Sequence, residues 1–462
     1  MPNRGFSGLF PANRGKAGMK AISLRKRVWG WWWFDWASQP YNTLLITFIF
    51  APYVKELIGD GARAQSAWGF GIGAAGFIIA LLAPILGAMA DISGNRMRWI
   101  WGFSAMYVAG ASGLWWAAPG DFNLILVLVF FAVGMIGMEF ATIFTNSMLP
   151  DLGTREEIGR ISGNGWAFGY LGGLVALVIM LTLFAESAST GKTFIGIDPI
   201  LGLDAAEREG TRAVGPLTAI WYAVFMIPFF LWVRDPKPVA PPRGALKRAL
   251  ADVLATLRGL PRNRSLFAYL TSSMLYRDGL NGMYVFGGIY AAGVLEWSVV
   301  DTGVFGIIAI ITGAIFAMLG GRADQTFGPK PVITVSILVL TLVAITIVFI
   351  SREAVFGIVL PEGSNLPDVM FYVIGALIGA AGGTIQAASR TMMVRQANPA
   401  RMTEAFGLYA LAGKATSFIA PLSIGVVTTI SGSQQIGVTP LIALFLFGLV
   451  LLIWVKPDGE KA

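Results

Sequence analysis

The sequence predicts an all-helical membrane protein of twelve spans, built as two six-helix halves. Three observations carry that expectation. Of 462 residues, 55% are hydrophobic and only 13% charged, and the mean hydropathy is +0.68, far from the composition of a soluble domain. Apolar stretches of about 20 residues recur along the whole chain, the length a helix needs to cross roughly 30 Å of hydrocarbon, whereas a barrel would show shorter alternating strands. Finally, motifs of the first half recur in the second at a nearly constant offset.

Taken in order, residues 1–28 carry Gly, Pro and scattered Arg and Lys with no apolar core, so they read as a disordered basic tail rather than a signal peptide. The six spans of the first half are expected at 29–53, 66–90, 98–118, 122–149, 159–185 and 215–234. The Pro-rich, basic stretch 235–264 follows as a linker. The second half is expected at 265–293, 298–320, 331–351, 366–393, 402–430 and 436–456, with a short tail at 457–462. Connections such as "DISGNRMR", "GRADQTFGPK" and the linker are rich in Lys and Arg, while those on the opposite side, such as "SREAVFGIVLPEGSNLPD", have acids that match or outnumber bases. That asymmetry puts both termini in the cytoplasm, and a bacterial inner membrane fits.

The chain has no Cys and no His. Disulfides, thiol nucleophiles, imidazole bases and the usual zinc and haem ligands are therefore excluded, and no metal or cofactor is expected. The net charge of +8 records loops rather than nucleic-acid binding, since no soluble basic domain exists.

The repeat is specific. An offset of 244 lays "NSMLPDLGTREEIGRISGNGWAFGY" (146–170) on "RTMMVRQANPARMTEAFGLYALAGK" (390–414), pairing Gly163 with Gly407 and Gly169 with Gly413. An offset of 233 lays "GAMADISGNR" on "GGRADQTFGPK", pairing Gly87 with Gly320 and Asp91 with Asp324. An offset of 243 sets Asp35 of the first span on Asp278 of the seventh.

The duplicated G-x-x-x-D loop resembles the signature of the major facilitator superfamily. "WWWFDWASQPYNTLLITFIFAPYV", "LYRDGLN" and "AASRTMMVRQANPARMTEAFGLYALAGK" look like the bacterial "unknown major facilitator" family, relatives of fungal autophagy-related vacuolar amino-acid effluxers. Ser38 and Pro40 depart from that family's first-span pattern. The resemblance spans about residues 25–456 and implies solute transport.

A charge in hydrocarbon costs some 2.5–3.5 kcal/mol even on permissive scales, so buried ionisable residues face a cavity or each other. Five stand out: Asp35, Glu139, Arg277, Asp278 and Lys414. At about 1.5 Å rise per residue, Glu139, Arg277, Asp278 and Lys414 fall roughly 15–20 Å into their spans. Gln39, Asn42, Asn146, Asn164, Tyr276, Asn281, Gln386 and Arg390 thicken the same layer. Structural ion pairing between the halves competes with a substrate-binding cavity as the reading of these residues. Glu139, Asp35 and Asp278 are the candidate proton carriers, with Glu139 first because no base adjoins it in sequence. Pro40 should kink the first helix and free a carbonyl. Gly87, Asp91, Gly320 and Asp324 are the candidate gate, an aspartate bonding a neighbouring helix N-terminus or a loop arginine to close one side. The tryptophans around Asp35 read as an interfacial belt.

The expected function is alternating-access transport of a small polar or zwitterionic solute, coupled to protons, by a lipid-embedded monomer. An effluxer of amphipathic drugs or lipids, and a non-transporting receptor or scaffold, are the rivals. An intramembrane enzyme finds no activated nucleophile or metal cluster in this chain.

Overall fold

The computed structural model describes residues 22–59, 61–120, 122–235, 244–297 and 299–460. Most of the expected N-terminal tail (1–21), part of the linker (236–243) and the last two residues lie outside the described residues. The helices of the first half are α1 (Leu24–Pro40), α2 (Phe50–Ile58), α3 (Gly61–Ser93), α4 (Arg96–Gly113), α5 (Leu124–Asn146), α6 (Ile158–Ile179), α7 (Glu209–Arg212), α8 (Val214–Phe225) and α9 (Ile227–Trp232). A linker helix, α10 (Ala245–Gly259), follows. The second half contains α11 (Arg264–Val294), α12 (Val299–Phe327), α13 (Pro329–Val348), α14 (Leu366–Gln396), α15 (Met402–Ala415), α16 (Ile419–Ser431), α17 (Gln434–Gly437) and α18 (Thr439–Leu451). Among the described residues a two-stranded hairpin, β1 (Ala354–Val355) with β2 (Ile358–Val359), decorates a loop.

Among the described residues, nine helices are long and apolar enough to cross a membrane. The three other expected spans are also helical, but α1, α4 and α11 carry Arg25, Lys26, Arg27 and Asp35, Arg96 and Arg98, and Arg277 and Asp278, respectively. Helix α1 starts at Leu24, capped by the Ser23 hydroxyl, ahead of the expected start at 29.

Three breaks in regular helix have local causes. Pro40 cannot donate to the Trp36 carbonyl four residues back, and the chain passes into a π-helical stretch, Tyr41–Phe48. The Trp36 carbonyl freed in this way accepts the Trp221 indole N–H at 3.2 Å. Pro228 opens α9 and splits the sixth span. The eleventh span breaks after Ala415, and Pro421 sits in the first turn of α16, where its missing N–H costs nothing.

Within the first half α4 packs on α5 and α8, and α1 on α6; within the second α12 and α13 pack on α14, and α11 on α18. The halves meet along α6–α12 and α3–α15, the fifth span against the eighth and the second against the eleventh, as the repeat requires. These seams are glycine-lined at the end that carries the basic loops. A Cβ at Gly407 would lie 2.5 Å from the Ala83 carbonyl oxygen, and one at Gly87 2.6 Å from that of Thr403. Gly163 faces Gly321 and the Ala317 carbonyl in the same way. Only hydrogen at these positions lets the backbones close.

Candidate functional site

The polar layer lies where the two halves face each other. Asp35 on α1 pairs with Arg390 on α14 at 3.1 Å, their side chains 14% and 4% exposed. Arg390 is held from all sides. It donates to Asn146 at 3.1 Å, to the Ser162 hydroxyl at 3.2 Å and to the Ser162 carbonyl at 3.0 Å, and its guanidinium lies over the rings of Trp31 and Trp166. Trp31 is fully buried and donates to the Thr145 carbonyl. It therefore belongs to this knot and not to an interfacial belt. The α6 backbone can approach here because a Cβ at Gly165 would meet Asp35 and Trp31.

About two turns away along α5, Glu139 pairs with Lys414 of α15 at 2.7 Å, both side chains roughly a quarter exposed. Proximity in sequence left Glu139 without a base; the fold supplies one from 275 residues away. Arg277, on α11, stacks on the Tyr409 ring and donates to the Tyr409 carbonyl at 3.1 Å. It meets no carboxylate within 4.0 Å among the described residues. Asn281 lies one turn further on the same face and is exposed.

Asp278 takes a different position from its neighbour. It is 2% exposed and accepts the Ala420 N–H at 2.9 Å, so it caps the first turn of α16 beyond the break in the eleventh span. Tyr276 is buried within the second half, bonded to Ser389 at 2.7 Å. Gln386 donates to the Tyr170 hydroxyl across the halves at 3.2 Å. Gln39 packs against Gly173, and the Asn42 carbonyl accepts from Thr47 in the π-helical turn. The Asn164 Oδ1 is buried without a hydrogen-bond partner among the described residues.

At the end that carries the basic loops, Asp91 of α3 accepts the N–H groups of Thr403 at 3.1 Å and Glu404 at 2.8 Å. An aspartate of one half thereby caps α15 of the other. Asp324, its repeat mate, lies against Gly159 of α6, but neither of its oxygens has a hydrogen-bond partner among the described residues. Gly320 packs on Thr384 within its own half, and the neighbouring Gly321 makes the contact across the seam. The two seams therefore share backbone geometry but differ in polar bonding.

Asp91→Asn is expected to loosen this end. Charge-assisted bonds of this kind are worth about 1.5–3 kcal/mol, a shift of roughly tenfold to a hundredfold between closed and open forms. The readout is thiol labelling at Ser147→Cys, a position 1% exposed and bonded to Thr403 across the seam. Equal labelling rates with and without Asp91→Asn would contradict the cap's role.

The profile of the family described as "Vacuole effluxer Atg22 like" matches residues 63–461. The chain belongs to this family. An Atg22-like chain is thus an integral, multi-pass membrane protein of the transporter class. It is 24% identical over 435 residues to a Bacillus subtilis protein named as an uncharacterized MFS-type transporter, YxiO, covering 93% of this chain and 94% of that one. It is also 24% identical over 305 residues to the autophagy-related protein 22 of Cryptococcus neoformans, covering 64% of this chain but only 48% of the fungal protein. The chain thus spans about half the length of such fungal relatives. Among solved structures, the major facilitator transporter FucP in its outward conformation superposes with a TM-score of 0.68 at 14% identity, covering 96% of this chain and 100% of that one. The human organic anion transporter MFSD10 gives 0.64 at 16% identity, covering 93% and 99%. The Atg22-like chain has the major facilitator fold.

Sequence reasoning counted Arg390 among the residues thickening the polar layer and did not pair it with Asp35. Its repeat position opposite Asn146 was the available signal, since residues 146 and 390 are equivalent and now touch.

Proposed function

We propose that this protein is a twelve-span secondary transporter that moves a small zwitterionic, amino-acid-like solute by alternating access, with both termini on the cytoplasmic side of a bacterial inner membrane. The observation that carries the reading is the charge layer between the halves. Its three acids are matched by Arg390, by Lys414 and by the start of α16, which leaves Arg277 as the cation without a carboxylate among the described residues. A solute carboxylate would take that vacancy at Arg277, with Asn281 one turn away. The solute ammonium would draw on Glu139, whose bond to Lys414 is exposed enough to exchange. Separated opposite charges reject solutes that lack either group. In this reading the Asp35–Arg390 knot and the Asp91 cap form the floor and the latch on the cytoplasmic side of the charge layer.

Glu139 is also the proposed proton carrier. Protonating it would release Lys414, coupling proton uptake to the charge facing the solute. Asp35 is the second candidate, whereas Asp278, as a buried helix cap, is assigned to folding. In proteoliposomes, Glu139→Gln is expected to abolish uptake driven by a pH gradient and to retain substrate counterflow, because exchange needs no net proton movement. Concentrative uptake by Glu139→Gln on a proton gradient would remove Glu139 as carrier. An effluxer of amphipathic drugs is disfavoured by a site with this many fixed charges.

A further inference from the structure

The linker between the halves was expected as a basic, Pro-rich connection, yet residues 245–259 form the helix α10. Its sequence, ALKRALADVLATLRG, has two apolar faces. Ala249 and Val253 are buried against Ala88, Met89 and Ile92 at the end of α3. Leu246, Leu250, Leu254 and Leu257 point elsewhere, 53%, 46%, 46% and 40% exposed. At 3.6 residues per turn these four form one stripe beside the buried face, and Lys247 and Arg258 border its other edge. The surrounding surface is strongly basic. Lys247, Arg248, Arg258, Arg262 and Arg264 are all exposed, with Asp252 the single acid between Ala245 and Arg264. None of these five bases is in an ion pair among the described residues.

Helix α10 rests on the end of one membrane span, α3, and passes through the turn Leu260–Arg262 directly into another, α11. The leucine stripe therefore lies where the spans leave the hydrocarbon. Four leucines bordered by bases match an interfacial helix, apolar side chains in the acyl boundary and cations among the headgroups. A second contact gives the position a consequence. Thr256 on α10 donates to the Glu404 carboxylate at 2.7 Å, and Glu404 is the residue whose N–H the Asp91 carboxylate accepts.

We propose that α10 is a docking surface for anionic phospholipid, its leucine stripe inserted into the leaflet on the latched side, and that this docking presses α10 onto the α3–α15 seam. The lipid docking is independent of the transport reading, while its effect on the gate rests on the latch described above. The lipid contributes negative headgroups to Lys247, Arg258, Arg262 and Arg264 and hydrocarbon to the four leucines. A bilayer without net charge would satisfy only the second.

The absence of native Cys allows single-site labelling of the full chain. A spin label at Leu250→Cys, in proteoliposomes of phosphatidylcholine with phosphatidylglycerol, is expected to be accessible to oxygen and shielded from a water-soluble nickel relaxant. A label at Arg248→Cys, on the opposite face, should show the reverse. Val253→Cys, beneath the helix and 7% exposed, should be alkylated roughly fivefold more slowly per base engaged than in phosphatidylcholine alone. Arg258→Gln should remove about one such factor. Water access at Leu250→Cys in both membranes would overturn the docking. Dipolar broadening between Leu250→Cys labels would assign the stripe to a second copy of the chain and overturn it as well. Lipid-independent alkylation of Val253→Cys would overturn the pressing of α10 onto the seam. Because none of these readouts requires substrate flux, they stand apart from the failure of the transport reading.

Discussion

Arg390→Met is expected to destabilise the protein and abolish transport. Asp35 would lose its counter-charge in a nearly dry site, and removing one partner of a buried ion pair costs about 3–5 kcal/mol. The loss exceeds that of a single bond because Arg390 also ties α5 through Asn146 and α6 through Ser162. The double substitution Asp35→Asn with Arg390→Met leaves no uncompensated charge and should recover most of the unfolding temperature while still failing to transport. A double-mutant cycle on the unfolding midpoint measures the coupling. A double variant no more stable than Arg390→Met would mean that Arg390 acts through its packing on Trp31 and Trp166 rather than through Asp35.

Gly407→Val is expected to stop transport by a different route. The new Cβ would lie 2.5 Å from the Ala83 carbonyl, below any normal contact, and the neighbour is backbone that has no rotamer to turn away. The halves can then no longer close at this seam, while each half keeps its own packing. Flux should fall to background with little change in unfolding temperature. A pair of spin labels at Arg98→Cys and Ala400→Cys, both exposed loop-side positions of opposite halves, should report a longer distance than in the parent. Full flux at an unchanged distance would show that this seam does not need to close.

Much of this architecture was legible in the sequence because its causes are local or periodic. Apolar length marks nine of the expected spans among the described residues, and the repeat of Asp91 at Asp324 and of Gly163 at Gly407 points to the two equivalent seams. The cost of charge in hydrocarbon singled out Asp35, Glu139 and Lys414 before their partners were known. What stayed hidden depends on helix rotation and on breaks. Which acid meets which base is decided by the facing angles of α1, α5, α14 and α15, and that angle is not written in any short stretch. Asp278 reads like a site residue until the eleventh span is seen to end at Ala415 and restart at Ile419, where Asp278 caps it. The signals were Ser417 and Pro421, which interrupt that apolar run. Helix α10 is hard to read from composition, because the basic charge of the linker masks the spacing of Leu246, Leu250, Leu254 and Leu257.

The two seams also differ in a way that sequence symmetry conceals. Asp91 and Asp324 occupy equivalent positions, yet only Asp91 caps a helix of the other half. The α3–α15 seam is held by the Asp91 cap, whereas on the α6 side the polar ties run from Ser162 to α14; α10 bears on the first of these seams.

If a layer of opposed charges between the halves recognises a zwitterion, Arg277 takes its carboxylate and the Glu139–Lys414 pair its ammonium. The direct test is counterflow in proteoliposomes, comparing labelled α-amino acids with their amine and carboxylic acid analogues, for the parent chain and for Arg277→Gln and Lys414→Met. Saturable exchange of one or more amino acids, weak exchange of either analogue, and loss of exchange in both variants at an unfolding temperature close to that of the parent are expected. Exchange of the amine or the acid alone as fast as the zwitterion, or parent-like exchange by both variants, would contradict zwitterion recognition.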